Sequence, residues 1–205
     1  MSARSLAVKT GRVLGTLLVQ RVLGSRPITL VGYSLGSLVI FEALQHLASV
    51  VPSQIHVAEL IQDVYLFGAP VSTDQAAWAA ARRVVSGRLV NGYCTYDYIL
   101  AILARVTNVT WGMAGLQPVE VQGVENIECT EVDGHLKWRE MVGRCLQDCN
   151  APGVVDSEIR LQSERRGKKL SKAIDMSQVD AEEITHAGPE ADGNGHAKPK
   201  CTMKP

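Results

Sequence analysis

One serine in this chain stands where a hydroxyl could be turned into a nucleophile. Ser34 is the centre of Gly32-Tyr33-Ser34-Leu35-Gly36; the β-rich run Ile28–Tyr33 precedes it and helix formers follow from Leu35 to Ala48. G-x-S-x-G alone is a frequent chance match, and a serine in an ordinary strand–loop–helix connection is the competing explanation. Set between a strand and a helix, the pentapeptide reads as a nucleophile elbow. A turn that tight holds the serine strained, with Oγ exposed above the sheet edge. Glycines two residues to either side let strand and helix backbones approach without Cβ clashes. The helix then begins at Ser34, so the Leu35 N–H and the positive end of the helix dipole face a developing oxyanion.

A serine hydroxyl is a weak nucleophile unless a base takes its proton and a carboxylate orients that base. In α/β-hydrolases the three follow strand ends in the order serine, acid, histidine. Here Ser34 follows the first strand, Asp97 closes the strand that carries Gly92-Tyr93-Cys94-Thr95-Tyr96, and His135 follows the last strand in Asp133-Gly134-His135. Taken singly, Asp97 also reads as a loop cap and His135 as a turn residue; the shared order favours the triad. His46 lies about three turns along the helix after Ser34. His56 opens a crossover at the opposite end of the sheet, and His186 and His196 lie in the polar C-terminal stretch. Among the acids, Asp63 starts its strand and falls at the wrong edge, Asp74 is a weaker rival, and Asp133 shapes a turn.

The elements that must hold these residues alternate. Ser5–Leu23 reads as an amphipathic helix with Val13, Leu14, Leu17 and Leu18 on one side. The helix after Ser34 is apolar around most of its circumference and must be covered on several sides. Asp63–Pro70 and Arg88–Tyr93 read as strands, Val119–Val121 as a short one, and Val124–Val132 as the last. Ala76–Val85, anchored by Trp78, Tyr98–Val106 and Leu136–Leu146 read as helices. Tyr98–Met113, with Trp111, reads either as core or as a wall or lid over the site. Strand–helix alternation implies an α/β fold with a mostly parallel sheet of about four strands and right-handed crossovers. The strands that normally precede the nucleophile in an α/β-hydrolase are expected to be missing, making this a partial α/β-hydrolase fold that lacks the N-terminal half of its sheet.

The 205 residues, 46% hydrophobic with 21 basic and 21 acidic side chains, fit one globular domain over residues 1–150 with a polar tail over 151–205. The tail is dominated by charge, Ser, Gly and Pro and is expected to be disordered, with a fluctuating helix over Glu158–Ala173. Neutral net charge argues against nucleic acid as a partner. No apolar run reaches the roughly 18 residues of a transmembrane helix. Five cysteines at irregular spacings suggest reduced thiols in a cytosolic setting. Cys145 and Cys149 could share a helix face, but no second pair completes a metal site, so neither metal nor cofactor is expected.

The stretches RPITLVGYSLGSLVIFEALQ, DVYLFGAPV, VVSGRLVNGYCTYDYIL, AGLQPVEVQGVENIE and DGHLKW resemble the hydrolase-like domain of the transmembrane and coiled-coil domain-containing protein 4 family over residues 10–150. The resemblance implies an α/β-hydrolase-like domain, facing the cytosol, in a membrane-associated protein whose spans lie upstream. It places that family's elbow serine on Ser34, its acid on Asp97 and its histidine on His135. Ser37 and Leu38 stand where the family often has Ala-Arg. The expected activity is that of an esterase or lipase-type hydrolase on an apolar ester or lipid, with the isolated chain itself inactive. Leu35 supplies one oxyanion donor; Tyr33 and Leu35 either flank the acyl group or pack, and Trp111 is the further substrate contact. A catalytically idle hydrolase fold acting as a trafficking or scaffold module is the rival from another class, and a truncated gene product without activity of its own is the other.

Overall fold

The computed structural model describes residues 2–50, 60–106, 112–161 and 164. The chain divides into two compact units, Met1–Val154 and Val155–Pro205. In the second, residues 156–161 are helical; the rest of the stretch expected as a fluctuating helix lies outside the described residues, apart from Glu164.

The first unit is an α/β sheet structure. Helix α1 (Ala3–Val19) leads into strand β1 (Ile28–Tyr33), helix α2 (Leu35–Val50), β2 (Ile61–Phe67), α3 (Gln75–Arg83), β3 (Leu89–Tyr93), α4 (Tyr98–Val106), β4 (Val124–Glu128) and α5 (Trp138–Asp148). The four strands pair in the order β1-β2-β3-β4, and all three pairings are parallel. Strand alternation sends neighbouring side chains to opposite faces. Val64, Leu66 and Leu89 join the core built with α1, α2 and α3, while Tyr65, Phe67 and Val90 join a second core with Trp138, Met141 and Cys145 of α5.

Several expectations need correction. The packed stripe of α1 is Ala7, Gly11, Gly15 and Leu18, whereas Val13 is exposed. The reason is close helix contact: a Cβ at Gly11 would fall 2.6 Å from the Val39 carbonyl oxygen of α2. Val119–Val121 does not form a strand. Instead the Val119 N–H donates to Asn126 Oδ1 at 2.8 Å and its carbonyl accepts from Asn126 Nδ2 at 3.0 Å, so a side chain supplies what a ladder would have. The last strand ends at Glu128, earlier than Val132. At the start of β3, Arg88 donates to both carboxylate oxygens of Glu125 in β4 and to the Cys149 carbonyl beyond α5, tying together three elements at the sheet edge opposite Ser34. Hydrogen bonding and charge from Glu125 keep that guanidinium firmly protonated.

Candidate active site

Parallel strands bring their C-terminal ends to one edge, and three side chains meet there. Ser34 follows β1 directly. Its backbone sits at φ 51°, a left-handed conformation uncommon for a residue with a side chain. Neighbouring backbone holds it there: the Ser34 N–H donates to the Phe67 carbonyl at 2.9 Å, and the Ser34 carbonyl accepts from the Ser37 N–H at 3.0 Å. The Ser37 hydroxyl adds a second bond to Phe67, donating to the same carbonyl at 3.0 Å, so the start of α2 is pinned to the end of β2.

The two glycines of the pentapeptide are not equivalent. A Cβ at Gly32 would lie 2.9 Å from the Gly36 backbone and 2.7 Å from Ile40 Cδ1, so only glycine allows strand and helix to approach this closely. A Cβ at Gly36 would meet nothing within 4 Å, and the expectation of a steric need for glycine there is corrected.

Asp97 lies four residues beyond Tyr93, the last residue of β3, and is fully buried. Its Oδ1 accepts from the Leu100 N–H at 3.0 Å, capping α4. Its Oδ2 lies 2.8 Å from His135 Nδ1 and accepts from Trp138 Nε1 at 3.0 Å. Asp97 is therefore a helix cap and the partner of the histidine at once. Burial raises this carboxyl, but the bonds from His135, Leu100 and Trp138 outweigh it and hold the group below the usual carboxylate range. An ionised Asp97 accepts only, so Nδ1 of His135 carries the proton and Nε2 is left to accept. His135 opens the short 3-10 turn His135–Lys137 ahead of α5, and its Nε2 lies 2.6 Å from Ser34 Oγ. A base set this close to a hydroxyl, and oriented by a buried carboxylate, can withdraw the hydroxyl proton as oxygen attacks an electrophile.

The competing residues are engaged elsewhere. Asp63 accepts from the Arg88 N–H, Asp74 caps α3 through the Ala77 N–H, and His46 Nε2 lies 3.5 Å from Thr16 Oγ1. Asp133 forms a loose pair with Lys137 at 3.9 Å. His56, His186, His196 and Trp111 lie outside the described residues.

The surface around Ser34 and Asp97 is apolar. Tyr33 and Leu35 are 39% and 37% exposed, so neither is core. Within α4 only Leu100 is buried; Ile99 and Leu103 are exposed, as are Tyr98, Ile102 and Val106 at 71%, 62% and 76%. The reading of this segment as core is corrected over the described residues, because α4 packs mainly against the 3-10 turn and keeps its broad apolar side to solvent. Leu136, next to His135, is exposed as well. Sequence reasoning passed over Trp138, although a tryptophan three residues after the histidine was a signal that the indole could reach the same carboxylate.

Fold and site together define a parallel α/β protein that carries a hydrogen-bonded Ser–His–Asp row at the C-terminal edge of its sheet. The chain belongs to the family described as protein of unknown function DUF726, whose profile matches residues 1–151. It is 43% identical over 140 residues to the transmembrane and coiled-coil domain-containing protein STS1 of Oryza sativa, covering 68% of this chain and 21% of that protein. To the probable lipase MIL1 of Saccharomyces cerevisiae it is 37% identical over 181 residues, covering 84% of this chain and 16% of that protein. An uncharacterized membrane protein of Caenorhabditis elegans is 36% identical over 154 residues, covering 73% of this chain and 24% of that protein. The chain thus spans between 16% and 24% of the length of these relatives. No solved structure matches it at a significant level. Among the described residues, no helix is long and apolar enough to cross a membrane.

Proposed function

We propose that this domain is the nucleophile-bearing part of a serine acyl hydrolase that acts on an apolar ester or lipid within a longer, membrane-associated protein. The observation that carries the reading is the continuous row from Ser34 Oγ through His135, 2.6 Å on one side, to Asp97, 2.8 Å on the other. In this reading Gly32–Gly36 is a nucleophile elbow. His135 Nε2 takes the Ser34 proton as Oγ bonds the ester carbonyl carbon and the carbonyl π pair moves onto oxygen. The oxyanion faces the Leu35 N–H, a first-turn group that helix α2 cannot satisfy internally. Collapse expels the alcohol, which takes the proton from the imidazolium. Water then repeats the sequence and releases the acid.

The exposed side chains of α4, with Tyr33, Leu35 and Leu136, support an apolar acyl group as the part of the substrate that is bound. The relative named a probable lipase supports the same class, and the relatives named as membrane proteins support membrane association. We further place the chain in the transmembrane and coiled-coil domain-containing protein 4 branch, with the domain facing the cytosol, where the free thiols of Cys94, Cys129, Cys145 and Cys149 stay reduced. We read its sheet as the C-terminal half of the domain, from the nucleophile strand onward. The position of β1 at the sheet edge, with Val31 and Tyr33 exposed, supports this. A second oxyanion donor then comes from outside these residues, and the chain alone turns over esters poorly.

The test is hydrolysis of a medium-chain p-nitrophenyl ester by the full-length protein. Ser34→Ala should remove the activity above background. Activity that survives Ser34→Ala overturns the assignment, and a parent protein without activity points to an idle fold used as a scaffold.

A further inference from the structure

We infer that Trp138 is a positioning residue for the Asp97–His135 pair: its indole N–H, donated to the oxygen that also faces the imidazole, fixes the carboxylate and the turn carrying His135. The inference rests on the hydrolase reading above and adds a residue to it.

Asp97 Oδ2 has two donors, His135 Nδ1 at 2.8 Å and Trp138 Nε1 at 3.0 Å, while Oδ1 is taken by the Leu100 N–H at 3.0 Å. A carboxylate filled in this way on both oxygens cannot rotate without breaking a bond in a buried site, where an unmade bond is costly. Both donors to Oδ2 come from one stretch of chain, because the 3-10 turn His135–Lys137 runs straight into α5 at Trp138. The indole therefore anchors the end of the turn whose start presents the imidazole.

A buried tryptophan normally finds some acceptor, so the bond alone would be ordinary core behaviour. The shape of β2's end argues for more. Gly68 follows β2 at φ 52°, and a Cβ there would lie 2.4 Å from Trp138 Nε1, the very atom that donates. Phe67 stacks on the indole with centroids 6.1 Å apart, and Trp138 is fully buried. A left-handed glycine and an aromatic neighbour thus hold the N–H against the carboxylate. When His135 takes the Ser34 proton, Asp97 must remain ionised beside the imidazolium, and the indole N–H stabilises the charged form. Without it, the carboxylate is looser and its charge falls more fully on the imidazole.

The experiment replaces Trp138 in the full-length protein in two ways. Trp138→Phe keeps an aromatic ring; benzothienylalanine at the same position keeps the bicyclic outline and puts sulfur where the N–H stood, so that failure of the first variant to fold leaves the second to decide. Two readouts are taken against pH: steady-state hydrolysis of a soluble ester, and the rate of diethylpyrocarbonate modification of the His135 peptide by mass spectrometry. We expect kcat to fall about tenfold with KM nearly unchanged, as for loss of a hydrogen bond to a charged group in the reacting assembly. The acid limb of the kcat/KM profile and the modification curve should both move to higher pH by roughly half a unit. Unchanged kcat and unmoved curves in a folded variant reduce Trp138 to core packing and overturn the inference. If the parent protein shows no Ser34-dependent turnover, the hydrolase reading fails by itself. The modification curve still reports whether the indole governs the pair, and an unmoved curve overturns that too.

Discussion

Helices α2 and α4 leave the same edge of the sheet, one residue after Ser34 and one residue after Asp97, and both are built largely from apolar residues. Their surroundings differ. In α2, Leu38, Ile40, Phe41, Leu44 and Leu47 are buried among α1, α3 and the sheet, and Phe41 packs on Trp78 of α3 with ring centroids 4.9 Å apart. In α4, Leu100 is the buried residue and the rest of the apolar surface faces outward beside the site. Similar composition therefore does two kinds of work. In α2 it supplies the packing that holds a strained serine, because left-handed backbone at a non-glycine residue persists only where its surroundings over-determine it. In α4 it leaves apolar surface next to the carboxylate and histidine, where the proposed acyl group would lie.

The comparison can be broken at either helix. Leu44→Ala should cost on the order of 2–5 kcal/mol of stability in urea melts, because Leu44 is fully buried within the core that α2 shares with the sheet. A cost below about 1 kcal/mol would mean that α2 is not the clamp described. Ile102→Gln in α4 should leave stability within about 0.5 kcal/mol, the range for exposed positions. The same change should lower kcat/KM for a long-chain ester several-fold relative to a short-chain one, since about 0.8 kcal/mol is lost for each methylene left without apolar contact. An unchanged chain-length preference would remove α4 from the binding surface, and a large loss of stability would show that its outer side is covered.

The contrast between these helices also marks what could be read from sequence. Ile28–Tyr33 has the same bounds in the structure as in the sequence reading, because strand-forming residues and the flanking turn residues are local signals. That Ser34, Asp97 and His135 would come together was legible from their order after strand ends, since parallel strands deliver those ends to one edge. What surrounds an element was not. The exposure of α4 depends on which elements arrive above it, and hydropathy alone reads it equally well as core. Gly11 and Gly15 of α1 outcompeted Val13 for the packed face because helix contact rewards small residues as much as apolar ones. The carbonyl and N–H of Val119 went to a side chain, Asn126, which no periodicity reports. Trp138 was given no role from the sequence; the geometry shows its N–H at the carboxylate.

The central claim is that His135 makes Ser34 a nucleophile. It is tested most directly by treating the full-length protein with a fluorophosphonate probe and locating the adduct by peptide mass spectrometry. The account predicts a single adduct on Ser34 Oγ, formed far more slowly in His135→Ala, since removing the base of such a triad costs several orders of magnitude in rate. An adduct on another residue, or labelling of Ser34 at an unchanged rate in His135→Ala, would contradict it.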